Sequence, residues 1–223
     1  MDLPPQAMDV DDTLTLRAFE GEADLPELFR VIEESLEHLR PWLPWVGEHS
    51  LARTTRFLAR RAELWASGDE YTYAIVLDGD IVGACGLFRR DETRHEAREI
   101  GYWLHPSATG RGVASRAAGA LAEQAFLLPG VELVEIVHDA ANLASGAVPA
   151  RLGFTAYERR AFEPVAPLET GEDQVWRLTR DRAGTPPVAR AASPAPRAAT
   201  GPASVPPPER PAPAPRSGAS GRP

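Results

Sequence analysis

Two glycines flank an arginine at Gly110-Arg111-Gly112, between a His105-Pro106 break and a run of small residues, Val113-Ala114-Ser115-Arg116-Ala117-Ala118, that reads as the start of a helix. A loop of this kind can bind an anion. The first turn of a helix carries unpaired N–H groups and about half a positive charge, and glycine lets the backbone come close to a ligand. An ordinary tight connection uses the same glycines, so the loop alone leaves both readings open. It lacks the Gly-Lys-Ser/Thr ending of a nucleoside-triphosphate loop and the spacing of a dinucleotide fingerprint, which argues against nucleotide hydrolysis and hydride transfer. Upstream, Glu99 offers a carboxylate that could accept a proton; downstream, Asn142 and Ser145 offer an amide and a hydroxyl one helical turn apart. His38, His49, His95, His105 and His138 show no metal-ligand spacing and Cys85 is the single cysteine, so no metal site is expected.

These groups need elements to hold them. A strand over residues 97–104 carries Glu99 toward the loop. The helix over 112–128 that follows has Ala114, Ala118, Leu121, Ala125 and Leu128 along one side, small enough for close packing on a sheet. Residues 13–19 alternate in period two and predict a first strand. Asp24 with Glu27 reads as a capping box opening a helix marked by Leu25, Leu28, Ile32, Leu36 and Leu39. A second helix is predicted over 50–67. Between the two, the prolines Pro41 and Pro44 break the helix in a loop carrying Trp42 and Trp45. Strands over 71–77 and 80–89 are joined through Asp78-Gly79, a hairpin signal. A strand over 131–137, a short helix over 142–152 interrupted by Pro149, and strands over 155–162 and 174–179 complete the order. This succession predicts an α/β (α+β) mixed sheet flanked by helices.

The 223 residues suffice for one domain without disulfides, and the lone Cys85 fits a reducing cytoplasm. The acidic start lacks the features of a signal peptide, and no apolar run reaches the roughly 18 residues of a membrane span, so a cytoplasmic protein without membrane contacts is expected. Composition changes near Ala183: residues 183–223 hold 12 of the 22 prolines and no Leu, Ile, Phe, Tyr or Trp. The expected division is a disordered extension over 1–12, a domain over 13–182 and a disordered Pro/Ala/Arg-rich tail over 183–223. The tail has five arginines and one acid, so of the net charge of -8 it carries +4, leaving -12 on residues 1–182. That acidity argues against nucleic acid and favours an amine-bearing partner.

Gly110-Arg111-Gly112-Val113-Ala114, after Gly101-Tyr102-Trp103-Leu104-His105-Pro106, closely resembles the acetyl-CoA pyrophosphate loop of the GNAT acetyltransferases. Asn142-x-x-Ser145 followed by Arg151-Leu152-Gly153-Phe154 resembles a second block of the Rim-type branch, which acetylates ribosomal-protein N-termini, and the segment 39–45 is similar to that branch's tryptophan-proline loop. The blocks span most of residues 13–180. The resemblance implies a GNAT fold, with a mixed, mostly antiparallel six- to seven-stranded sheet flanked by about four helices. It implies an acetyl-CoA-dependent N-acetyltransferase without a metal, acting as monomer or homodimer on an amine, foremost a protein N-terminal α-amine. The alternatives are a small amine, such as an antibiotic or peptide natural product, and a catalytically inactive acyl-CoA-binding module.

By the same resemblance, the backbone of Gly110, Arg111, Gly112, Val113 and Ala114 holds the pyrophosphate, with pantetheine beside Trp103 and Leu104. Thr109 stands where the family has Gln or Arg. Asn142 would hydrogen-bond pantetheine, although a helix N-cap role is also open. The family's usual tyrosine seven residues after that asparagine is here Pro149, which leaves Ser145 to protonate the departing thiolate. Glu99 is the candidate base, directly or through water, against a structural pairing with Arg94 or Arg98. His38, Trp42, Trp45 and Tyr102 are candidates to line the acceptor groove, although His38 also reads as a helix-end residue, the tryptophans as packing and Tyr102 as core.

Overall fold

The computed structural model describes residues 3–90 and 94–183. Eight strands form one sheet: β1 (Ala7–Asp9), β2 (Leu14–Ala18), β3 (Glu70–Leu77), β4 (Asp80–Phe88), β5 (Ala97–Leu104), β6 (Leu133–Asp139), β7 (Thr155–Ala161) and β8 (Glu172–Thr179). Their spatial order is β1-β2-β3-β4-β5-β6-β8-β7. Neighbours run antiparallel except β5 and β6, which are parallel. The sheet is thus mixed and mostly antiparallel, with one strand more than the upper expectation. The extra strand is β1, which lies within the segment 1–12 expected to be disordered. It pairs Ala7 with Arg17 and Asp9 with Thr15, and the Asp11 carboxylate accepts from the N–H groups of Thr13 and Leu14 to close the turn. Too short at three residues to show a strand period, it is held by main-chain pairing with β2 and by Met8 against the core. The tail expected from residue 183 lies, apart from Ala183, outside the described residues.

Side chains alternate across β5, so Ile100, Tyr102 and Leu104 join one core cluster and Trp103 joins the other. On the first face lies α4 (Val113–Leu127), whose Ala117, Ala118 and Ala125 are fully buried, because small side chains let the helix axis approach the sheet. The second cluster gathers Leu28, Val31, Ile32 and Leu39 of α1 (Leu25–Leu39) and Leu58 of α2 (Leu51–Ala59) over Ala84, Phe88 and Trp103. The helix predicted over 50–67 is two. Arg60 separates α2 from α3 (Arg61–Ser67), and the Arg61 guanidinium turns inward, donating to the Phe57 carbonyl, Glu70 and Thr72. The capping box also fails. Asp24 is taken by a two-pronged contact from Arg17 at 2.7 and 2.8 Å, while Glu27 accepts from the Ile81 N–H at 2.8 Å. The Asp78-Gly79 hairpin is as predicted, both residues having positive φ (54° and 95°).

One irregularity shapes the site. Parallel pairing of β5 with β6 runs from Ala97 with Leu133 to Ile100 with Ile136 and stops, although β5 continues to Leu104 and β6 to Asp139. The two strands therefore part, leaving an open slot beside residues 101–104.

Candidate active site

The slot opens into a cleft of about 480 Å³. Its floor is Tyr102 and Leu104, one end is the loop Ala108-Thr109-Gly110 with the first turn of α4, and the far wall is Ala144 and Val148 of α5 (Leu143–Arg151). Gly112 is the N-cap of α4 with φ 75° and no side-chain cap, and Gly110 has φ 70°. A Cβ at either would meet nothing within 4 Å, so the glycines are required by backbone conformation and not by crowding. The first turn thus lines the cleft with its N–H groups uncapped by any side chain, the kind of donor set a diphosphate needs. Thr109, the departure from the family pattern, donates its hydroxyl to the Pro106 carbonyl at 2.7 Å and tightens the loop. Arg111 is half exposed, 3.8 Å from Asp78.

Behind the slot, Tyr102 donates its hydroxyl to the Ser145 carbonyl at 3.1 Å and lies 3.3 Å from the Ser145 hydroxyl. Burial pushes the Tyr102 phenol well up, favouring the protonated form. Ser145 is fully buried and does not line the cleft; Tyr102 does. Asn142 caps α5, its amide oxygen accepting from the Ser145 N–H at 3.1 Å, so its N-cap reading holds. The wall is backed by His138, whose Nε2 accepts from the Trp176 indole N–H at 2.9 Å, leaving Nδ1–H to donate to the Asp139 carbonyl at 2.7 Å.

Glu99 does not line this cleft. It faces the other side of β5, in line with Trp103, and Arg90 binds it at 3.1 Å. The expected partners are otherwise engaged: Arg94 with Glu135 at 3.3 Å, and Arg98 with the carbonyls of His95 and Ala97. Arg90 lies on the β4–β5 connection, and no sequence period relates it to Glu99. On the same face Asp173 of β8 has its carboxyl raised to about 6, chiefly by burial and further by Glu99, Asp139 and Glu169, against Arg160.

Trp103 packs away from the cleft, its ring 6.2 Å from Trp45, and Trp42 and Trp45 lie against the α1–α2 cluster. Their packing reading is thereby observed. His38, from the last turn of α1, does line the cleft with Tyr102 and Leu104. Sequence reasoning missed Ser115, Arg116, Ala144, Val148 and Arg151 as lining residues. Ser115 and Arg116 follow the loop by one helical turn, and Arg151 opens a block already singled out, so a signal existed for these three. Among the described residues no group of three or more His, Cys, Asp or Glu side chains is disposed to hold a metal, and no helix is long and apolar enough to cross a membrane.

Residues 13–155 match the acetyltransferase (GNAT) domain, and the chain belongs to that family. It is an acetyltransferase that uses acetyl-CoA as cosubstrate. Among curated relatives it is similar to "Putative ribosomal N-acetyltransferase YdaF" of Bacillus subtilis (strain 168), 29% identical over 147 residues, covering 65% of this chain and 79% of that protein. Among solved structures it is similar to RimL, a ribosomal L7/L12 alpha-N-protein acetyltransferase in complex with coenzyme A, with a TM-score of 0.71, 23% identity and coverage of 78% and 97% of the two chains. It is also similar to the microcin C7 self-immunity acetyltransferase MccE in complex with acetyl-CoA and AMP, with a TM-score of 0.72, 18% identity and coverage of 79% and 98%. At these identities the two structures establish the shared fold.

Proposed function

We propose that the chain acetylates the N-terminal α-amine of a protein, of the ribosomal type, in the cytoplasm. The observation that carries this reading is the two-sided arrangement at the split. One side presents the anion cradle of Gly110 to Ala114; the other carries the neighbouring carboxylates Glu99, held by Arg90, and Asp173, a setting suited to a cationic N-terminus. The likeness to YdaF, by its name a ribosomal acetyltransferase, supports the acceptor class.

Acetyl-CoA supplies the acetyl group as an activated thioester. The first-turn N–H groups of α4 hold its diphosphate, and the unpaired edge of β5 at Gly101 to Leu104 offers main-chain partners to pantetheine, leaving a backbone N–H for the carbonyl oxygen. Tyr102, in contact with Ser145, is placed to deliver the proton that the departing sulfur requires; Ser145 acts through Tyr102 and not directly. Glu99, fixed by Arg90, serves the acceptor half as a fixed negative charge that draws the ammonium form inward.

The test is to incubate the protein with acetyl-CoA, a ribosome-containing lysate treated to free N-termini, and a panel of small amines, and to map products by mass spectrometry. Acetylation of a small set of protein N-termini, with lysine side chains untouched, is expected. Transfer confined to small amines would overturn the acceptor assignment while leaving the acetyltransferase chemistry standing.

A further inference from the structure

We infer that His38 is the catalytic base, taking the proton that the acceptor amine sheds as it attacks the thioester. The inference rests on the reading of the cleft as the place of amine acetylation, whatever the amine. Among the described side chains lining the cleft, four can carry a proton near the reaction: His38, Tyr102, Arg116 and Arg151. Guanidinium groups stay protonated at any working pH, and the Tyr102 phenol is pushed up by burial, so neither type accepts a proton near neutrality. That leaves His38.

Its surroundings suit the role. His38 stands in the last turn of α1, half buried beside Leu104, and neither ring nitrogen has a hydrogen bond among the described residues. Burial first, and then His105 on the turn after β5, hold its imidazole below the ordinary 6.5, so it is neutral and able to accept at pH 7. The charged groups around it are accounted for. Glu34, one turn back on α1, is directed to His105 at 3.4 Å; Arg116 and Arg151 line the cleft from α4 and α5; the α5 residues Ala144 and Val148 carry no charge. Glu99, the alternative carboxylate, lies on the other face of β5, outside the cleft, and is held there by Arg90.

The step balances without a further reactant. The amine nitrogen bonds to the carbonyl carbon, the carbon–sulfur bond breaks, the amine proton passes to the His38 imidazole, and the sulfur leaves as a thiol with a proton delivered through Tyr102. His38 returns its proton to solvent and Tyr102 regains one from it.

The test compares wild type, His38→Gln and Glu99→Gln for acetyl-CoA affinity by calorimetry and for kcat/KM against pH with one good acceptor. Below the pKa values of both His38 and the amine, two deprotonations precede attack in wild type, so log kcat/KM should rise with a slope of about two; in His38→Gln one remains and the slope should fall to about one. At pH 7 the variant should lose about 10²-fold or more in rate with cofactor affinity unchanged. Glu99→Gln should keep the steeper slope. A His38→Gln enzyme with the wild-type slope and rate, or loss of the slope in Glu99→Gln instead, would overturn the assignment. Wild-type protein that binds acetyl-CoA yet acetylates no amine would overturn the transfer reading and this assignment together.

Discussion

Asp173 shows what a cluster of carboxylates costs at the level of a single residue. It is half buried among Glu99, Asp139 and Glu169, and its carboxyl is raised from 3.8 to about 6. Over that interval the folded chain keeps a proton that the unfolded chain has released, so this residue lowers stability as pH rises from about 4 to about 6, and the loss persists above. Asp173→Asn removes the effect. The variant should melt higher than wild type at pH 7, by about 1 kcal/mol after discounting for solvent screening, with the difference vanishing below pH 4. Thermal melts at the two pH values check it; an equal gain at both would mean that packing and not charge is responsible. The neighbouring residues mark what sequence could convey. Tyr102, Leu104, Gly110 and Gly112 to Ala114, singled out through the family resemblance, all line the cleft, because a short stretch of chain order brings them together. The Arg90–Glu99 pair and the covering of Ser145 by Tyr102 were not legible, since each depends on contacts between separate elements.

At the level of elements, the loop and α4 form a single device. Gly112 adopts a left-handed φ at the start of α4, where no side chain caps the N–H groups, so the helix start keeps free donors of the kind an anion takes. Gly112→Asp should abolish acetyl-CoA binding in calorimetry by straining the backbone and placing a carboxylate among those donors. Unchanged affinity would show that the diphosphate lies elsewhere. Strands and helices with strong periods, such as β3, β4, β5, α1 and α4, were read correctly from sequence. The failures have specific physical causes. Arg61 turns inward to the buried Thr72 and the half-buried Glu70 and breaks a helix whose period runs through it, and Arg17 outcompetes the helix N-terminus for Asp24. The parting of β5 from β6 leaves no trace in either strand's pattern, because both remain buried on both faces along most of their length.

For the molecule as a whole, that parting divides one eight-stranded sheet into a block of five strands and a block of three. The blocks are stitched by the four register pairs from Ala97–Leu133 to Ile100–Ile136, and the seam is reinforced below by the Glu96 carbonyl, which accepts from the N–H groups of Glu132 and Leu133, and by Arg94 on Glu135. The arrangement has the form of a clothes-peg, joined at the stitched end with its jaws apart at the other, and α4 packs on β4, β5 and β6 with its first turn at the cleft. Cosubstrate seated between the jaws would complete the missing rungs and stiffen the pair. Amide hydrogen exchange should therefore slow on adding CoA at Gly101 to Leu104 and at Val137 to Asp139, while Leu133 to Ile136 change little. Uniform slowing along β6 would mean that the whole sheet tightens as one body. If the jaws do move separately, the opening at rest sets how fast spent CoA escapes, and substitutions at the stitched end, far from any reacting atom, would alter turnover by changing the spring.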